Sequence, residues 1–91
     1  MATLFSICEG FKKTEVKPSD GRKFTLEEAQ SMVGGYVEVV YLKNKKIALV
    51  DEDGRLKNKP KNTVATLRAM RYGYVGFPFV GDVVICDNNE F

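Results

Sequence analysis

Apolar residues fall in short runs along this chain, and the spacing inside each run predicts its element. Over 3–8, Thr3-Leu4-Phe5-Ser6-Ile7-Cys8, they recur at nearly every second position, the period of a β-strand. Glu9-Gly10 predicts a turn, and 11–16 alternates loosely enough to return as a second strand. Pro18-Ser19-Asp20-Gly21 ends this unit, because proline pre-sets φ and glycine accepts a positive φ. The period then changes to that of a helix, with Leu26, Ala29, Met32 and Val33 on one face. Thr25-Leu26-Glu27-Glu28 reads as a capping box: the Thr25 hydroxyl accepts from the amide of residue 28, and the Glu28 carboxylate reaches back. Gly34 can take the left-handed conformation that closes the helix. So short a helix is held by packing rather than by propensity.

Residues 36–42 form a strand that is apolar on both faces except at Glu38, which predicts a central position in a sheet with one covered face. Lys43-Asn44-Lys45-Lys46 is a hairpin turn, 47–50 the returning strand, and Asp51-Glu52-Asp53-Gly54 the turn that closes it. Residues 55–62 carry little regular pattern. Asn62 or Thr63 then caps a short helix with Val64, Leu67 and Met70 at helical spacing, and Gly73 ends it. Residues 75–79 are apolar but broken by Gly76 and Pro78, which predicts an edge strand or a buried loop. A last strand spans 80–86, and 87–91 is a polar tail. The sum is one α+β domain over 1–91: a mixed, mainly antiparallel sheet of four to six strands with one or two short helices on one face.

Composition narrows the chemistry more than the fold. The chain of 91 residues has no histidine, so it lacks the usual general base at neutral pH and the commonest metal ligand. Ser–His and Cys–His nucleophile pairs are thereby excluded, and no phosphate-binding P-loop motif occurs. Two cysteines, Cys8 and Cys86, read as buried thiols of a reducing compartment, or as a pair if the terminal strands are neighbours, and with no histidine they are too few for structural zinc. The apolar runs are too short to span a membrane, and no signal peptide is evident, so a cytoplasmic location is expected. No cofactor, metal or membrane contact is expected. The net charge of +2 is too small to argue for nucleic acid by itself. Asp51, Glu52 and Asp53 lack the ligand spacing of a calcium loop and read as a solvated turn.

The stretch from Leu26 through Val33-Gly34-Gly35-Tyr36 to Val37-Glu38-Val39-Val40 resembles the core of a family of small proteins of unknown function, common in bacteriophages, plasmids and their bacterial hosts. That resemblance continues through the second strand, Asp53-Gly54, Leu56-Lys57, Pro60-Lys61-Asn62 and Val80-Gly81-Asp82-Val83-Val84-Ile85. It departs at Phe77-Pro78-Phe79 and in a shorter C-terminus. It implies a mobile-element context and no particular reaction.

The most functional-looking segment is basic. Lys43, Lys45 and Lys46, then Arg55, Lys57, Lys59 and Lys61, then Arg68 and Arg71 form a positive rim if the loop and second helix lie together. In an extended conformation the four of 55–61 point one way. Such a rim contacts phosphates, with Asn62 beside it and Tyr72 and Tyr74 placed to stack on bases. Glu38 is the one carboxylate inside an apolar strand; it lies on the open face, is held by a neighbouring cation, or faces a ligand. Three functions follow in order. The first is a non-enzymatic accessory protein that binds a host protein or itself, as a homodimer. The second is a binder of a nucleotide or phosphorylated signal, and the third a weak nucleic-acid binder.

Overall fold

A computed structural model describes residues 2–7 and 12–91 of the chain. Cys8, the Glu9-Gly10 turn and Phe11 lie outside the described residues. Among the described residues, five strands form one sheet: β1 (Ala2–Ser6), β2 (Lys12–Val16), β3 (Val37–Tyr41), β4 (Lys46–Asp51) and β5 (Val83–Asp87). Helix α1 (Leu26–Val33) joins β2 to β3, and α2 (Thr63–Met70) lies between β4 and β5. The strand order is β2-β1-β5-β4-β3, and all four pairings are antiparallel. The expected α+β fold is present, with a wholly antiparallel rather than mixed sheet.

Alternation along the inner strands decides where the helices go. Ile47, Leu49, Val84 and Cys86 face one side and pack with Phe24, Ala29 and Val33 of the α1 region. Ala48, Val50, Val83 and Ile85 face the other, with Phe5, Phe79 and the α2 residues Ala65 and Ala69. The helices therefore cover opposite faces, a correction to the expectation of one covered face. The cause is visible in β4 and β5, which are buried along nearly their whole length and leave no face for water. The strand at 36–42 is also not central. β3 is an edge, and the centre is β5, the last strand in the sequence.

Local signals set the helix ends. Thr25 and Glu28 form the reciprocal capping box, at 3.1 Å and 2.8 Å. Gly34 closes α1 at φ 79°, donating to Gln30 O at 2.8 Å. Asn62, not Thr63, caps α2, and Gly73 follows at φ 83° with amide bonds from Gly73 and Tyr74 back to Met70 and Ala69. The buried side of α2 is Ala65 and Ala69; Leu67 and Met70 are exposed, contrary to the face predicted at Val64, Leu67 and Met70. Small residues win because they let the helix backbone approach the sheet closely. The segment at 75–79 is a loop that buries Phe79 and leaves Val75 and Phe77 in solvent. The C-terminal tail is a 3₁₀ turn (Asn88–Glu90), with Phe91 packed against the α1 side of the core and Glu90 O accepting from Phe24 N–H at 2.7 Å.

Candidate functional site

The loop between β4 and α2 carries most of the residues singled out in the sequence, and it is folded rather than extended. Lys57 N–H donates to Asp53 O, Lys59 N–H to Gly54 O and Asn58 N–H to Arg55 O, and Asn58 sits at φ 55°. That is one helical turn closed by a left-handed residue. On such a turn the four basic residues of 55–61 do not form one outward row: Arg55 and Lys61 part from Lys57 and Lys59.

Lys57 and Lys59 turn inward to Asp51. Their Nζ atoms lie 2.9 Å and 2.6 Å from Asp51 Oδ2, and Lys59 Nζ also donates to Val33 O at 3.0 Å and Lys57 Nζ to Gly34 O at 3.3 Å. The Asp51 side chain is fully buried, which corrects the solvated-turn reading. Burial pushes its carboxyl up, but the two ammonium groups and the Asp53 amide outweigh that and hold it at about 2. The lysines thus neutralise a buried anion and satisfy the last carbonyls of α1, where positive charge is favoured.

The glycine pair of the turn belongs to this lock. Gly34 supplies the positive φ. A Cβ on Gly35 would stand 2.6 Å from both Asp51 Oδ1 and Lys57 Nζ, so Gly35 is there for close approach. Gly81 does the same against Lys59, where a Cβ would meet Cδ at 2.7 Å.

Asn62 is the second polar knot and is completely buried. Its Nδ2 donates to Phe5 O at 2.9 Å and to Gly81 O at 2.8 Å, while Oδ1 accepts from Ala65 N–H. It ties β1, the 80–82 turn and α2 together. Lys61 pairs with Val80 in an isolated antiparallel bridge and is exposed.

The remaining basic residues are dispersed. Arg55 donates to Pro78 O and stacks over the Phe77 ring at 5.2 Å. Arg68 lies over Phe5 at 5.6 Å. Arg71, at the end of α2, is exposed; its backbone N–H donates to Arg68 O, and its side chain makes no hydrogen bond or ion pair with a described residue. Lys46 pairs with Asp87 at 2.6 Å, a hydrogen bond that raises the lysine and lowers the carboxyl. Tyr72 lies under Lys46, and Tyr74 packs on Phe79 with ring centroids 4.5 Å apart. Among the described residues, then, Arg55, Lys57, Asn62, Arg68 and Arg71 do not converge on one concavity. Cys86 is buried and free, its thiol pushed up to about 12 by burial.

Two features of the surface stand out instead. A cleft of about 170 Å³ runs between Glu38 and Val40 of β3, Arg55 and Leu56 of the loop, and Tyr74. Glu38 is exposed there, and its side chain makes no hydrogen bond or ion pair with a described residue. Leu56, which lines the cleft, is 83% exposed, and Phe77, under the Arg55 guanidinium, is 75% exposed. Sequence pattern could not find these as a group, because they come from two separate loops. The second feature is β3 itself, whose outer edge pairs with nothing among the described residues.

Fold and site together define a small α+β domain built round two buried polar knots, one at a helix–glycine-pair–strand junction. Residues 5–91 match the family described as a domain of unknown function, DUF3846, and the chain belongs to that family. No curated protein and no solved structure matches it. No helix among the described residues is long and apolar enough to cross a membrane.

Proposed function

We propose that this protein acts by binding a host protein or a second copy of itself, as an accessory factor of a phage or other mobile element, and that it does no catalysis. The observation that carries the reading is the exposed pair Leu56 and Phe77 at the cleft beside Glu38, next to the open β3 edge. Exposed aromatic and aliphatic anchors around a concavity are the usual make-up of a protein-binding surface. The reading of a basic rim for nucleotides or nucleic acid has less behind it. Lys57 and Lys59 are already committed to Asp51, Arg55 stacks on Phe77, and Arg68 on Phe5.

The test uses the intact protein and a Leu56→Glu/Phe77→Glu variant. Both positions are exposed, so thermal unfolding should be nearly unchanged. Wild-type protein should retain a partner, or its own copies, that the variant releases. Equal behaviour of the two proteins overturns the reading. So does substrate turnover that Glu38→Gln abolishes.

A further inference from the structure

The two edges of the sheet are built differently. β2 carries Lys12, Lys13 and Glu15 in five exposed or half-buried residues, the charged composition that keeps an edge from pairing. β3 carries a single charge, Glu38, among Val37, Val39, Val40 and Tyr41. Its hydrogen-bonding direction is fixed by the hairpin. Leu42 N–H donates to Lys46 O and Glu52 N–H to Tyr36 O, so the even-numbered positions spend their backbone groups on β4. Alternation in an antiparallel ladder then turns the N–H and C=O of Val37, Val39 and Tyr41 outward. Just beyond, Lys43 N–H is taken by Tyr72 O at 2.7 Å, which closes the edge at that end. The open length is therefore 37–41.

We infer that this edge pairs with β3 of a second copy of the chain, antiparallel about a twofold axis at Val39, to make one continuous ten-stranded sheet. The inference rests on the binding reading above and names its partner. Charge selects the register. With Val39 opposite Val39 of the second copy, Glu38 lies opposite Val40, and the exposed Tyr41 ring covers Val37. Sliding by two residues one way sets Glu38 against Glu38, two like charges face to face. Sliding the other way sets Val37 against Lys43, whose amide is already used. Only the central register uses every outward group of 37–41, and it gives a symmetric, closed interface.

The experiment mixes two variants in a Cys8→Ser background, Glu38→Cys and Val40→Cys, under mild oxidation. The native thiol of Cys86 is buried and held protonated, so it does not compete. Directly opposed residues of a non-hydrogen-bonded pair lie within disulfide reach. The expected result is a covalent dimer from the mixture and little from either variant alone. A Val39→Pro variant should sediment as one chain while unfolding cooperatively, because proline there removes only an outward N–H. Cross-linking of Glu38→Cys with itself overturns the register. A wild-type protein that sediments as a single chain up to roughly 1 mM overturns self-pairing, since an affinity weaker than that is negligible. In that case partner retention lost in Leu56→Glu/Phe77→Glu still decides the binding reading by itself.

Discussion

Asn62 and Asp51 are the two residues on which the chain's polar economy turns. The asparagine has three described side-chain bonds, all buried, and two of them run to carbonyls far away in sequence. Asn62→Ala should cost roughly 2–4 kcal/mol, the loss of a helix cap plus two carbonyls left unpaired. Asn62→Asp separates the two contributions. Aspartate is as good a cap, yet it sets a carboxylate oxygen against Phe5 O and Gly81 O, so it should destabilise about as much. Chemical denaturation of the two variants checks this, and a mild Asn62→Asp would show that the cap alone matters. That Asn62 can start a helix was legible from its place before Val64; that its amide bridges β1 and the 80–82 turn was not, since those partners lie 57 and 19 residues away.

Among the elements, α2 gives the clearest contrast between pattern and packing. Its largest apolar residues, Leu67 and Met70, are the exposed ones, and two alanines touch the sheet. Enlarging the contact with Ala69→Leu should therefore destabilise by about 1–3 kcal/mol through overpacking. Leu67→Ala should stay within about 0.5 kcal/mol, as surface substitutions do. Thermal unfolding of both variants measures the difference, and the reverse order would put Leu67 inside. The helix itself was readable from its cap and from Gly73. The direction it faces was not, because Val64-Ala65-Thr66-Leu67-Arg68-Ala69-Met70 offers two short stripes, and only the distance of the sheet chooses between them. For α1 the signals agreed except at Leu26, which is exposed: the capping box, the buried Ala29 and Val33, and Gly34 appear where the residues predict.

For the molecule as a whole, the buried Asp51 makes stability depend on acid. Its folded carboxyl titrates at about 2, against roughly 3.9 for a free aspartate. The unfolded chain therefore takes up the proton first as pH falls. The stabilisation is complete above about pH 5 and is lost progressively as pH falls through 4 toward 2. A difference of nearly two in pKa corresponds to about 2–3 kcal/mol. Asp20, Glu28 and Asp87 are lowered as well, by hydrogen bonds from Arg22 N–H, Thr25 N–H and Lys46 respectively, and add the same sign in the same range. Unfolding free energy measured from pH 7 to 2 should fall along this limb. In Asp51→Asn the protein should be less stable at neutral pH and its acid limb flatter. Parallel limbs in the two proteins would assign the effect to the other carboxylates.

By itself the sequence determined what is local. Turn residues, caps and the change of period from 2 to 3.6 act within a few positions, so the strands, both helices and the absence of imidazole chemistry follow from it directly. Tertiary structure alone decided which strand is the edge, that the helices lie on opposite faces, and that Lys57 and Lys59 close on Asp51 instead of lining a surface. The first two depend on insertion of the last strand, β5, between β1 and β4, a contact across most of the chain's length; the third depends on the 55–59 turn closing on the end of α1. No window of neighbouring residues carries the free energy of such a contact.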